Sequence, residues 1–322
     1  MSGSRGTSSS LGSGNSIFAL TDAAFTLLRD LIVERTGILF DEAKRATMAD
    51  KLSELVAENG LTSFLDYYYL LRYDDEADRH WAMLMDRLSV PETFFWRQSE
   101  QIEAVAAVVA PAHFAAYPGR PLRIWSAGCC TGEEPLSLAI ALAERGLLPS
   151  HPVEIVATDG SQEMIARARR ASYGERSFRQ LPAVLKNRYF EPDGNDRWRP
   201  IESIRRPISW GIANLAMPAD VKRYAACDVI FCRNVFIYFS DDVIRNTVQT
   251  FAEFMSPDGF LFVGASESLT RLNVPVELAE VGGAFTYVKL GRRPSVERLQ
   301  MVEPGAQRDP VLVERGGAAW RD

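Results

Sequence analysis

This chain of 322 residues has few of the groups that announce many common chemistries. It has four cysteines, two of them adjacent (Cys129 and Cys130) and none in a C-x-x-C pair, which speaks against a zinc site and against a disulfide framework. Its three histidines, His80, His113 and His151, stand alone. No apolar run approaches the ~18 residues of a membrane span, and the N terminus lacks the basic-then-apolar pattern of a secretory signal. Nor is there an excess of positive charge. The formal net charge is -6 with a pI near 5.4, so no global basic field exists to hold nucleic acid or an anionic membrane. The reading is of a cytoplasmic protein with no metal, no nucleic-acid partner and no membrane insertion. What is present is ordinary globular material, 47% hydrophobic and 24% charged, in a chain long enough for two domains.

Residues 1–16 are nearly all Ser, Gly and Thr and read as a disordered leader, because they bury too little apolar surface to offset chain entropy. The pattern over 17–90 is helical. Thr21 is placed to cap a helix with Phe25, Leu28 and Ile32 on one face, and Gly37 suits its end. A second helix is expected over 41–59, and Ser63 followed by Asp66 resembles a capping box that opens a third. Beyond Pro91 short apolar runs alternate with amphipathic segments, the pattern of a parallel α/β sheet. Strands are expected over 122–126, 153–158, 228–232, 259–264 and 285–289, and helices over 133–145, 161–170 and 241–255. Proline and glycine break this alternation at 190–212, which reads as a small antiparallel insertion. The segment 291–322, rich in Arg, Glu, Gly and Pro, reads as a disordered tail. The fold class is therefore α/β, a doubly wound Rossmann-like sheet over 91–290 with a small antiparallel insertion, preceded by an all-α domain.

The chemistry concentrates between the first strand and its helix, at Ala127-Gly128-Cys129-Cys130-Thr131-Gly132-Glu133-Glu134. A strand, a glycine turn and a helix N terminus let backbone approach a nucleotide at the carboxyl edge of a sheet. The spacing is not G-x-G-x-x-G, and Glu133 and Glu134 would repel a pyrophosphate where one would sit. S-adenosylmethionine carries an ammonium and a sulfonium and no phosphate, so it fits this polarity. Acidic residues after a glycine turn also serve simple helix capping. Asp159, at the end of the next strand and placed to accept ribose hydroxyls, favours the nucleoside cofactor.

Six strings in order resemble the CheR-type chemotaxis receptor methyltransferases: Thr93-Phe94-Phe95-Trp96-Arg97, the loop from Trp125 to Pro135, Ala157-Thr158-Asp159, Asn214-Leu215, Phe231 to Phe239, and Gly264-Ala265-Ser266-Glu267-Ser268-Leu269. The resemblance runs from about Phe18 to Lys289. It implies a doubly wound methyltransferase domain behind a helical docking domain, with methyl transfer from S-adenosylmethionine to glutamate side chains in the cytoplasmic helical region of chemoreceptors, leaving S-adenosylhomocysteine. It implies cofactor contacts at Thr93, Arg97, Glu133, Asp159, Asn214, Leu215, Arg233 and Asn234, and places Tyr238 beside the transferred methyl, with Tyr238 and Arg97 as catalytic residues. It also implies receptor docking by Lys44, Arg45 and Lys51 on the second helix, recruitment to receptor arrays, and a monomer. The sequence departs from the family at Pro91, where Asn is common, and at Ala265, where the family has histidine. The insertion reads as shorter than in members that grip a receptor's C-terminal peptide.

A glutamate side chain with a pKa near 4.3 is ionised at neutral pH and needs no general base to attack a methyl group, which agrees with the absence of histidine from every motif. Arg97 and Arg233 are candidates to hold carboxylates through bidentate forks. Phe94, Phe95 and Trp96 read as packing between linker and sheet. The rivals are a regulator that binds the cofactor without turnover and a methyltransferase of another substrate. The basic face with stacking aromatics that a nucleic-acid enzyme needs is missing.

Overall fold

The structure, a computed structural model, describes residues 18–291. The leader 1–16 and the tail 291–322 lie outside the described residues, Gly291 excepted.

The helical domain comprises α1 (Asp22–Thr36), α2 (Arg45–Glu58), α3 (Phe64–Tyr73) and α4 (Ala77–Leu88). Thr21 Oγ1 accepts from Ala24 N at 3.3 Å, and Gly37 at φ 77° ends α1 by donating to Val33 O, as the sequence predicts. Ser63 caps α3, but Asp66 reaches back to the N–H and hydroxyl of Thr62, so the box closes one residue early. The apolar faces meet in one core around Phe25, Leu28, Ile32, Met48, Leu52 and Tyr67.

A helical connection follows: α5 (Ser99–Ala104), a π turn (Val105–Val109) and α6 (Ala110–Ala116). The catalytic half then alternates β1 (Leu122–Ala127), α7 (Glu133–Glu144), β2 (Val153–Asp159), α8 (Gln162–Arg170), β3 (Tyr173–Gly174), α9 (Ala183–Tyr189), β4 (Phe190–Pro192), β5 (Arg197–Pro200), α10 (Glu202–Arg205), β6 (Ile208–Ile212), α11 (Pro218–Tyr224), β7 (Val229–Cys232), α12 (Asp241–Phe254), β8 (Phe260–Val263), β9 (Val276–Val281) and β10 (Ala284–Lys289). The main sheet has seven strands in the order β6-β2-β1-β7-β8-β10-β9; its first five strands are parallel, and β10 runs antiparallel to both neighbours. β7 and β8 are buried along their whole length, which is why they read as unbroken apolar runs. The chain reverses its winding direction between β1 and β7, and such a switch point opens a crevice at the carboxyl ends of the strands.

Two strand expectations need correction. The insertion is a three-stranded antiparallel sheet, β3-β5-β4, that begins at Tyr173 rather than near 190. It also ends earlier, because β6 belongs to the main sheet and pairs in parallel with β2, Ile155 opposite Ile208. Pro200 and Pro207 made β6 look like part of the irregular stretch, whereas Pro207 only opens an edge strand, where proline is tolerated. The insertion is therefore longer than the sequence suggested.

The two halves are tied at the crevice. Leu39 N donates to Tyr238 O (2.8 Å) and Ser240 N to Gly37 O (3.3 Å), an antiparallel bridge between the loop after α1 and the loop after β7. Asp86 of α4 accepts from Ser161 Oγ (2.6 Å) and Glu163 N (3.0 Å), so a helical-domain carboxylate holds the first turn of α8.

Candidate functional site

The loop after β1 folds flat across the sheet edge because two of its N–H groups, of Gly128 and Cys129, donate to Thr158 O at 2.8 and 2.9 Å. Gly128 has φ 80°, and a Cβ there would lie 2.5 Å from Val235 Cγ2, so the close approach of the β1 and β7 loops requires glycine. Cys130, also at positive φ, aims its N–H at Asp159 Oδ2 (2.9 Å), while Ser161 N donates to Oδ1 (2.9 Å). Burial pushes the Asp159 carboxyl above its ordinary value, and these two N–H groups act against that shift. Each oxygen keeps a further acceptor position.

Thr93, Arg97, Asp159, Asn214, Leu215, Arg233, Asn234 and Tyr238 all line one cavity of ≈ 190 Å³ between the two halves of the molecule. Met85 and Leu88 of α4 and Ile38 of the loop after α1 add apolar wall. Asn214 is fixed by its own chain: its amide donates to Arg35 O (2.6 Å) and its oxygen accepts from Ala216 N (3.0 Å). Arg97 is half-buried, donates Nη1 to Glu92 O (2.8 Å) and lies over the Phe94 ring at 5.5 Å. Tyr238 is half-buried, its hydroxyl pKa raised by burial and the nearby Glu92 charge, with Arg97 acting the other way.

Three expectations change. Glu133 lies against a neighbouring cleft and not this cavity, only 2% exposed, its carboxylate accepting from Thr131 Oγ1 (2.6 Å) and Ser177 Oγ (2.9 Å). Successive residues on a helix point about 100° apart, and it is Glu134 that faces the cavity. Arg233 does not offer its fork to a ligand carboxylate: its Nε binds Glu134 Oε2 at 2.7 Å, and Nη1 donates to Gln101 Oε1 at 3.0 Å. It holds Glu134 in place. Lys44, Arg45 and Lys51 form no basic stripe. Lys44 is exposed but belongs to a 3₁₀ turn (Glu42–Lys44) before α2; Arg45 is bound to Asp22 (2.7 Å) and to Leu20 O (2.6 Å); Lys51 turns its ammonium onto Arg87 O (2.9 Å) at the end of α4. Burial and the charge of Arg87 lower the Lys51 pKa accordingly. The aromatic trio divides as well: Phe95 and Trp96 are core, Phe95 packing on Tyr173, Phe178 and Phe190, whereas Phe94 lines the cavity.

Glu267 was not singled out as a site residue. Its carboxylate accepts from the N–H groups of Asn234 (2.7 Å), Gly264 (2.6 Å) and Ile237 (3.2 Å), so it pins the loop carrying Asn234, at φ 60°, and Tyr238. Its signal in the sequence is the Gly264–Leu269 string.

The donor set fits S-adenosylmethionine: an acceptor pair at Asp159 for vicinal hydroxyls, carboxylate rather than phosphate-binding chemistry at the start of α7, a half-buried guanidinium at Arg97, and apolar walls. No group of three or more metal-ligating side chains occurs among the described residues. Fold and site together define a methyltransferase that uses S-adenosylmethionine. Residues 23–89 match the CheR methyltransferase all-alpha domain, and residues 91–282 match the CheR methyltransferase SAM binding domain. Chemotaxis protein methyltransferase 2 of Vibrio cholerae is 34% identical over 280 residues, spanning 87% of this chain and 97% of that protein. Chemotaxis protein methyltransferase 1 of Pseudomonas aeruginosa is 31% identical over 275 residues (83% and 97%), and the probable biofilm formation methyltransferase WspC of Pseudomonas putida is 30% identical over 256 (80% and 59%). The chain belongs to the CheR methyltransferase family.

Proposed function

We propose that this enzyme esterifies glutamate side chains in the helical region of chemoreceptors, a reading in keeping with relatives named chemotaxis protein methyltransferases. The observation that carries the reading is a cavity whose described lining holds a tyrosine, two arginines and carboxylates but no histidine or lysine to act as base. An acceptor that is already an anion needs none. When bound, S-adenosylmethionine supplies a methyl group on a cationic sulfur. Asp159 accepts its hydroxyls and Arg97 pairs with its carboxylate, while Thr93, Asn214, Leu215 and Asn234 shape the remaining wall. The Tyr238 hydroxyl, protonated at neutral pH, donates to the acceptor carboxylate and orients one oxygen. Alignment of this kind is worth ~7–11 kcal/mol by effective molarity. Recruitment to receptor arrays belongs to the same proposal.

The test is the pH dependence of kcat/KM on receptor substrate. With an acceptor pKa near 4.3 it should be flat from ~pH 6 to ~8.5. A limb titrating near neutrality that persists in kcat at saturating cofactor and receptor would mean that a base deprotonates the acceptor, and would contradict a carboxylate.

A further inference from the structure

Beside the cofactor cavity, and sharing Glu92 and Thr93 with it, lies a larger cleft of ≈ 720 Å³ between α8, β3, β5 and the segment 91–93. Six arginines line it: Arg167, Arg170, Arg176, Arg179, Arg197 and Arg199. Some are spoken for. Asp193 holds Arg199 in a two-pronged pair at 3.0 and 3.1 Å, Arg197 folds back onto Ser172, and Glu163 lies 4.0 Å from Arg167. Glu133 is under the surface with both oxygens bound to hydroxyls. Arg170, Arg176 and Arg179 are exposed, and among the described residues no carboxylate pairs with them.

A cluster of this sign in a protein of net charge -6 repels itself and gains only when an anion is bound. Guanidinium forks match carboxylates, and the cleft presents several at once. It also adjoins the cofactor cavity. Phe94 joins the two, with Arg179 over its ring at 3.6 Å on the cleft side and Arg97 at 5.5 Å on the cavity side. A nucleic acid would want exposed rings to stack on, and the aromatic residue lining the cleft, Tyr173, is buried with its hydroxyl donated to Thr131 O.

We propose that this cleft docks the acidic helix that carries the methylated glutamate. Carboxylates three, four or seven residues from the acceptor lie on its helix face, one or two turns of about 5.4 Å away, the side on which an adjoining basic cleft can meet them. The inference rests on the reading above that the acceptor is a protein glutamate.

The experiment compares the full-length wild type with the double variant Arg170→Glu, Arg176→Glu, using methyl-labelled S-adenosylmethionine and receptor-bearing membranes. The KM for receptor should rise roughly tenfold or more, and the loss of kcat/KM with added salt should become shallower, while cofactor affinity by calorimetry stays the same. If the reversal costs cofactor binding, the pair Arg170→Ala, Arg176→Ala carries the same expectation in milder form. A wild type that methylates receptor alongside variants of equal KM and salt dependence would overturn the cleft and leave the glutamate reading standing. A wild type that methylates no receptor would overturn that reading instead. Competition separates partner classes: a glutamate-rich peptide should inhibit the wild type and lose potency on the variant, and stronger inhibition by an oligonucleotide of equal charge would contradict a carboxylate partner.

Discussion

Glu133 is buried and Asp159 partly so, and burial raises the pKa of each carboxyl. Their partners differ. Asp159 meets backbone N–H groups and keeps lone pairs toward the cavity; Glu133 meets two hydroxyls that can accept as readily as donate. A carboxyl whose folded pKa lies above its unfolded value takes up protons on folding. Stability therefore falls as pH rises from the ordinary value of 4.5 through the raised one, and above that the full cost of the buried anion remains. Glu133→Gln removes that cost. Its Tm should exceed the wild type's at pH ~8, with the difference closing as the pH falls toward ~4.5. A variant less stable than wild type at the higher pH would show that the charge itself is needed. Arg97→Ala should abolish cofactor binding by calorimetry, and unchanged affinity would remove its assigned role. At this scale the sequence indicated the right neighbourhood, since eight of the nine expected cofactor and catalytic residues share one cavity. It could not choose between Glu133 and Glu134, because that depends on the helical phase set by Gly132 at φ 95°.

At the scale of elements, the loop after β7 is held by Glu267 rather than by its own residues. Glu267→Ala would leave three N–H groups without their acceptor in a place where the residue is 7% exposed. This should cost about 2–4 kcal/mol by denaturant midpoint and weaken cofactor binding, because Asn234 and Tyr238 lose their frame. Retained affinity would show the loop to be self-supporting. Gly128→Ala should fail for a different reason, forcing a Cβ onto Val235 at positive φ, and should loosen the cofactor without unfolding the sheet. The interior strands were legible because burial on both faces writes continuous apolar runs. The edge strands β6 and β9 were not: Ile208–Ile212 and Val276–Val281 each expose part of one face, and turn residues surround them.

For the whole molecule, the helical domain is part of the site. It supplies Met85 and Leu88 to the cavity wall, a backbone bridge to Tyr238, and Asp86 to α8. The sequence revealed two domains but could not reveal this seam, because its bonds join groups far apart in the chain, several of them backbone groups that any residue carries. Composition hid a second feature. A net charge of -6 conceals a cleft of six arginines, assembled from α8, the turn after β3 and β5 only when the chain folds. Encounter with an acidic receptor should accordingly weaken as salt rises from ~0.05 to ~0.3 M, while cofactor affinity barely moves. An encounter rate indifferent to salt would contradict electrostatic docking.

The nature of the bond formed distinguishes glutamate esterification from every other methyl transfer. Incubated with methyl-labelled S-adenosylmethionine and receptor-bearing membranes, the protein should place label on the receptor, and mild alkali should release it as methanol. Label that survives alkali, or no label on the receptor at all, would contradict glutamate esterification.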